Sequence, residues 1–464
     1  MAGRSGGAPP GAVTLRAKRR FLRHPAQVVV LGFAGAIGVG TLLLLLPMAR
    51  TGAGGASLLE AFFTATSAVC VTGLVVVDTP TYWSGFGEAV ILGLIQVGGL
   101  GIMTLASLLG LLVSRRMGLQ ARLTAAAETK AVGLGDVRSV IKGVVTFTLI
   151  FEAITAVALT LRFWLGYDES PARAAYLGVF HSVSAFNNAG FALWSDNLER
   201  FVDDPWICLP IAVTVISGGL GFPVIFEVRR QLRRGGGRRR TWSLHLKLTL
   251  LATAVLLVLG TLFVTATEWN NPATLGSLDL PGRLLAGFFQ AVMPRTAGFN
   301  TLDYGQMEDG TLLGTTILMF IGGGSAGTAG GIKVTTFVIL FFAVYAEVRG
   351  EPNVDAFDRR IDDRVIRQAL TVVLLSIAAV VAATVVLIEM AALPTQTLLF
   401  EAVSAFATVG LSTGITADLP TGAKLILVGL MFLGRLGPIT LVSALALRER
   451  TRLYELPEGR PIIG

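Results

Sequence analysis

An all-α integral membrane fold is what this sequence predicts, with eight transmembrane helices in four pseudo-repeats of span, pore loop and span around one central pore. Three observations predict it. The 464 residues are 53% hydrophobic and only 15% charged, whereas soluble domains are about a quarter charged. Eight apolar runs, near 27–47, 86–113, 140–165, 206–228, 245–267, 311–345, 366–391 and 422–447, are long enough for a bilayer core that takes about 20 helical residues to cross. Between the two runs of each successive pair lies a shorter, half-apolar stretch ending in a glycine motif.

The first run could be a signal-peptide core, but a long polar lead precedes it and Pro47-Met48-Ala49-Arg50 is a poor cleavage site. It reads as the first span, after a cytosolic tail. The gaps between pairs are basic: Arg115-Arg116 to Lys142, Arg229 to Lys247, and Arg349 to Arg367. Arg16, Lys18, Arg19, Arg20 and Arg23 precede the first span, and Arg448, Arg450 and Arg452 follow the last. All of these fall on one side of an eight-span topology, which the positive-inside rule makes cytosolic. The other gaps are acidic. The net charge of +8 and pI of about 9.9 are therefore read as topology and not as nucleic-acid binding. The run Arg233 to Arg240 is read as an anchor on anionic lipid. Cys70 and Cys208 are the only cysteines, and His24, His181 and His245 lie far apart, so neither a disulfide framework nor a metal cluster is expected.

The acidic gaps align with one another. They read Ser67-Ala-Val-Cys-Val-Thr-Gly73, Ser184-Ala-Phe-Asn-Asn-Ala-Gly190, Ala291-Val-Met-Pro-Arg-Thr-Ala-Gly298 and Ser404-Ala-Phe-Ala-Thr-Val-Gly410, with glycines 117, 108 and 112 positions apart. This is an internal repeat. A short helix cannot cross the bilayer, so each must dip in and return. Non-helical backbone at that depth must be buried in protein or line a watery cavity. Four such loops can surround one axis, and a ring of carbonyls can replace the hydration shell of a potassium ion. The candidate filter is Val71, Thr72, Gly73, Asn188, Ala189, Gly190, Thr296, Ala297, Gly298, Thr408, Val409 and Gly410. Glycine packing contacts are the competing explanation, but those belong inside spans and need no common side.

From about residue 20 onward the chain resembles the Trk/Ktr/HKT superfamily of potassium transporters. The matching segments are Thr66 to Gly73, Phe186 to Gly190, Pro294 to Asn300, Gly322 to Lys333 and Ala407 to Ser412. A single span before the first loop is similar to the Ktr type. The resemblance implies one filter glycine per repeat, here Gly73, Gly190, Gly298 and Gly410, a pattern linked to potassium preference. It also implies a homodimer with a C-terminal tail across the interface, and a cytosolic nucleotide-binding RCK-type regulatory ring as partner.

The sixth run is interrupted by Gly322-Gly323-Gly324-Ser325-Ala326-Gly327-Thr328-Ala329-Gly330-Gly331, which cannot be stable helix, since glycine costs about 1 kcal/mol relative to alanine. Lys333 follows it, and a lysine at mid-membrane must face a pore or a partner. The resemblance makes this stretch an intramembrane gate loop, with Arg435 of the last span close by. Arg435 can equally cap carbonyls between helices. The spacing is not that of a nucleotide-binding loop. Asp78, Asp196, Asp303 and Asp418 each follow a filter; they form either a cation-concentrating outer mouth or ordinary solvated loop acids. Arg295 is expected to cap its pore helix.

The divisions expected are a cytosolic tail at 1–26, repeat 1 at 27–125, repeat 2 at 126–234, repeat 3 with the gate loop at 235–350, repeat 4 at 351–450, and a tail at 451–464. The function expected is channel-like potassium uptake across the bacterial cytoplasmic membrane, with no organic cofactor and no enzyme chemistry. A membrane potential supplies about 2.3 kcal/mol per charge per 100 mV, so a passive path suffices. The alternative is a sodium-coupled carrier with alternating access, since broken helices suit carriers too.

Overall fold

The computed structural model describes residues 25–116, 137–233 and 242–437. The expectations for the N-terminal tail, for the run beyond Arg233, and for the chain after Gly437, the 451–464 tail included, fall outside them.

Repeat 1 comprises α1 (Pro25–Leu44), the short α2 (Leu58–Cys70) and α3 (Gly85–Arg116). Repeat 2 comprises α4 (Val137–Gly166), the short α5 (Pro171–Phe186), α6 (Pro205–Leu220) and α7 (Phe222–Arg233). In repeat 3, α8 (Leu244–Glu268) and the short α9 (Leu280–Val292) precede α10 (Asp309–Phe320) and α11 (Val334–Val348). Repeat 4 holds α12 (Asp363–Met390), the short α13 (Thr395–Ala407) and α14 (Thr421–Leu436). A hairpin of β1 (Asp355–Ala356) and β2 (Arg359–Arg360) joins repeats 3 and 4. Phe357 and Asp358, both with positive φ, make its two-residue turn.

Among the described residues four helices are long and apolar enough to cross a membrane, in Gln27–Leu44, Ile141–Gly166, Leu244–Glu268 and Asp363–Met390. Each opens its repeat. One of the second halves differs from the sequence expectation. The run 206–228 is not one span: α6 and α7 meet at 100°. The break sits at Gly221, whose φ is +88, just before Phe222-Pro223, where proline cannot donate to a continuing helix. The run 311–345 is likewise two helices, parted by the glycine-rich stretch as its composition requires.

Three of the four short helices begin at side-chain caps. Ser57 and Glu60 form a capping box on α2: the Glu60 amide donates to Ser57 Oγ (3.3 Å), and the Ser57 amide to Glu60 Oε2 (2.7 Å). Ser170 caps α5 and Asp279 caps α9. Ser57→Ala is expected to cost about 1 kcal/mol, and Ser57→Ala with Glu60→Ala less than the sum of the two, because both serve one box. Thermal unfolding of the detergent-solubilised protein checks both; strict additivity would count against the box.

Each second-half helix packs on the short helix of the following repeat: α3 on α5, α6 on α9, α10 on α13, and α14 back on α2. The cycle closes, so the four short helices surround one axis. Phe63, Phe180, Phe289 and Phe400, one from each short helix, are fully buried in one continuous apolar core.

Candidate functional site

The loops that follow the four short helices share one backbone course. Val71, Asn188, Thr296 and Thr408, each two residues before the motif glycine, have φ of 56, 60, 73 and 51. Gly73, Gly190, Gly298 and Gly410 have φ of 94, 70, 73 and 94. Positive φ at a β-branched residue is a genuine outlier, and three of the four carry one, so the surrounding structure must hold the loops there.

The four loops meet. A Cβ added to Gly73 would lie under 3.0 Å from the carbonyl oxygen of Ala189, one added to Gly190 from that of Ala297, one added to Gly298 from that of Val409, and one added to Gly410 from that of Thr72. The contacts run from each repeat to the next and return to the first. The structure thus brings the four expected filter loops together at Thr72, Gly73, Ala189, Gly190, Ala297, Gly298, Val409 and Gly410. Thr72 Oγ1, Thr296 Oγ1 and Thr408 Oγ1 are buried there without a hydrogen-bond partner in the protein. Buried hydroxyls normally find partners. The carbonyl oxygens of Thr72, Ala189, Ala297 and Val409, one from each loop, crowd against the glycine of a neighbouring loop, and carbonyl oxygens are the atoms that can replace the hydration shell of a cation.

Serine hydroxyls hold the loops from behind. Gly73 and Gly410 donate their amides to Ser67 Oγ and Ser404 Oγ, each at 3.1 Å, and Ser184 Oγ donates to the Phe191 carbonyl (2.8 Å). A second set of glycines, missed in the sequence, seats the short helices. A Cβ at Gly98, Gly218 or Gly434 would collide with the carbonyl of Val69, Phe186 or Phe406 near the end of a short helix. The signal was available in the tandem pattern Gly98-Gly99-Leu100-Gly101 and Gly218-Gly219-Leu220-Gly221.

The glycine-rich stretch from Gly322 to Gly331 lies against this ring. Its ends are fastened together by Gly322 N to Ile332 O (2.8 Å) and Val334 N to Gly323 O (3.0 Å). Its middle is pinned to the end of α6 by Gly324 N to Gly219 O (2.8 Å) and Thr328 N to Gly218 O (3.2 Å). A Cβ at Gly330 would strike Thr408 Oγ1. With the Asn188 amide oriented to satisfy its neighbours, it donates to Thr328 Oγ1 at 3.0 Å, joining the stretch to the second loop. Arg435 donates to the Thr328 carbonyl and, at 3.2 Å, to the Gly98 carbonyl. It thus bridges helices by capping carbonyls beside the glycine stretch. Lys333 folds back to donate to the Ala329 carbonyl.

The four aspartates are not equivalent. Asp78 accepts from Thr81 Oγ1 (2.6 Å) and from Ser195 Oγ of the next repeat (2.7 Å). Asp196 pairs with Arg200 at 2.8 Å. Asp303 is exposed and caps a single turn through Gly305 N (2.8 Å), and Asp418 is exposed. Asp196 and Asp303 act on a half-buried carboxyl that the sequence reading passed over, Glu199. Burial first, then the charges of Asp303 and Asp196, push its pKa up to about 6, against a hydrogen bond from Asn300 that lowers it. Arg295 departs from its expected role. It lies in the turn beyond α9, and its guanidinium donates across to the carbonyl (3.1 Å) and Oγ1 (3.3 Å) of Thr253 on α8, not to its own helix.

Glu152 of α4 was also missed. It is buried and accepts from Asn187 Nδ2 (3.2 Å) and Gln96 Nε2 (3.3 Å). Asn187 itself ends α5 immediately before the second loop. A lone acid inside an apolar run was the signal; its partners on α3 and α5 were not adjacent in sequence.

The family model described as "TrkH: Cation transport protein" matches residues 18–452. The chain belongs to the TrkH family of cation transport proteins. It is 42% identical over 440 residues to the Ktr system potassium uptake protein B of Bacillus subtilis, covering 95% of this chain and 97% of that protein. It is 39% identical to the protein of the same name from Vibrio alginolyticus, with 94% of each covered. A potassium/sodium uptake protein, NtpJ of Enterococcus hirae, is 34% identical, covering 97% of this chain and all of that one. Among solved structures, the potassium transporter TrkH from Vibrio parahaemolyticus superposes with a TM-score of 0.72 at 21% identity, covering 92% of this chain and 86% of that one, so the fold is shared. The resemblance seen in the glycine motifs is thereby established over nearly the whole chain. This TrkH-family chain is a multi-pass membrane transporter, in a family of transport proteins and not of enzymes.

Proposed function

We propose that this chain takes up potassium across the bacterial cytoplasmic membrane through one channel-like pore, formed by four repeats and eight membrane-crossing segments with both termini cytosolic. The observation that carries the reading is the closed cycle of glycine-to-carbonyl approaches among the four loops. In this reading the filter is Val71 to Gly73, Asn188 to Gly190, Thr296 to Gly298 and Thr408 to Gly410. Gly322 to Gly331, with Lys333 and Arg435, is the gate. The active form is a homodimer, and a cytosolic nucleotide-binding ring on the basic face supplies the sensing. Relatives named for potassium uptake support the ion. The test is rubidium uptake by a potassium-transport-deficient host expressing the chain, with and without a co-expressed ring. Uptake of many ions per molecule per second, enhanced by the ring, is expected. Uptake strictly proportional to a co-transported sodium ion would favour the carrier instead.

The mouth adds a pH dependence. Glu199 holds its proton more tightly when folded, at about 6, than its ordinary 4.5. Its contribution to stability is therefore present below that ordinary value and is lost as pH rises through the folded one. Ionisation over the same interval adds a negative charge beside Asp196 and Asp303, which raises local cation concentration. The KM for rubidium is accordingly expected to fall as external pH rises from about 5 to about 7. Glu199→Gln should flatten that slope; an unaltered slope would place the titration elsewhere.

A further inference from the structure

In three repeats a buried polar side chain of the short helix takes hold of the strand that leaves the filter. His181 Nε2 accepts from the Leu193 amide at 3.2 Å, while its Nδ1 side bonds the Leu177 carbonyl at 2.8 Å. Gln290, with its amide oriented to satisfy its surroundings, accepts from Leu302 N (2.9 Å) and Thr301 N (3.1 Å) and donates to Tyr304 Oη (2.8 Å). Glu401 accepts from Ser412 Oγ, from Thr413 N (3.3 Å) and, on its other oxygen, from Thr416 Oγ1 (3.0 Å). All three side chains are fully buried.

The positions correspond. His181 and Glu401 stand nine residues before Gly190 and Gly410, and Gln290 eight before Gly298. The amides they receive lie three or four residues beyond the same glycines. Imidazole, carboxamide and carboxyl differ in volume, charge and shape. They share an acceptor atom facing the exiting strand. An apolar side chain would fill the space without the cost of burying a polar group, so the acceptor is what the site retains. Repeat 1 has Thr64 at that place, and its exiting strand is tied instead through Asp78 to Ser195 of the next repeat.

We propose that His181, Gln290 and Glu401 are positioning residues that fix the spacing of the carbonyl ring, and so decide which alkali cation passes. The inference rests on the pore reading above. Glu401 binds three residues of one strand with both oxygens, as Gln290 binds three with both ends of its amide, and no described cation pairs with Glu401. The filter is therefore braced from the short helix in repeats 2, 3 and 4, and Glu401 is the brace to test because its donors can be removed without touching the short helix.

The experiment is rubidium uptake by the full chain with its ring, at rising competing sodium, with surface abundance measured in parallel. The variants are Glu401→Ala, Glu401→Gln and the milder pair Ser412→Ala with Thr416→Val, which removes donors and leaves the short helix untouched. Glu401→Ala and the donor pair are each expected to lower discrimination against sodium about tenfold, equivalent to ~1.4 kcal/mol, through KM and not through the maximal rate per molecule. Glu401→Gln keeps an acceptor toward Thr413 and should recover most of the discrimination. Should Glu401→Ala fail to reach the membrane, the donor pair decides. Wild-type discrimination in the donor pair, or equal damage from Gln and Ala confined to abundance, overturns the proposal. Absence of rubidium uptake by the wild type would sink the pore reading instead.

Discussion

Gly410→Ala is expected to lose most selective rubidium uptake while the protein still reaches the membrane. The position has φ of +94, where a side chain costs ~1–3 kcal/mol in backbone strain. The added Cβ would also meet the Thr72 carbonyl oxygen at under 3.0 Å. A carbonyl in a ring cannot yield as the tip of a flexible side chain can, because moving it moves its neighbours. Gly73→Ser has the same φ and meets the Ala189 carbonyl, so the defect should recur in another quadrant. For either variant the KM for rubidium should rise at least about tenfold, with sodium competing better, as a loss of ~1.4 kcal/mol or more implies. Gly429→Ala is the control. It lies in α14 with nothing within 4 Å of an added Cβ, and alanine favours the helix by about 1 kcal/mol. Uptake by Gly410→Ala indistinguishable from that of Gly429→Ala would remove the filter assignment.

These glycines were legible because the same constraint recurs at one spacing, and recurrence separates it from the chain's 55 glycines in all. The four continuous opening helices were legible from run length alone. The bend at Gly221 was not, since hydropathy is blind to backbone direction and 206–228 stays apolar across the break. The braces His181, Gln290 and Glu401 escaped for a different reason. Matching residue types across repeats conceals a role that three unlike side chains fill with one acceptor atom. Glu152 depends on Gln96 and Asn187, 56 and 35 residues away, and no local pattern joins them. Arg295 misled because a cation after a helix suggests a cap, whereas α9 ends at Val292 and the side chain is already beyond its last turn.

Deleting Ser325 to Thr328 is expected to raise the maximal uptake rate and to weaken dependence on the regulatory ring. The deletion leaves both ends of the glycine-rich stretch fastened, through Gly322 N to Ile332 O and Val334 N to Gly323 O, so α10 and α11 keep their places. It removes the Thr328 anchor to Gly218 and the carbonyl that Arg435 grips. An open form at about a tenth of the population is ordinary for a two-state element, and releasing it gives about a tenfold rise. Discrimination between rubidium and sodium should hold if the filter keeps its spacing. Thr328→Val tests that proviso, because it loses the hydroxyl facing Asn188 while the stretch keeps its length. A change of selectivity in Thr328→Val with no gain in rate would mean that the stretch supports the filter and does not obstruct the path. Arg435→Gln should act in the same direction as the deletion but more weakly, since the pins from Gly324 and Thr328 to α6 remain. Abolished flux in a deletion variant that folds and reaches the membrane would overturn the gate assignment and give the stretch to ion binding.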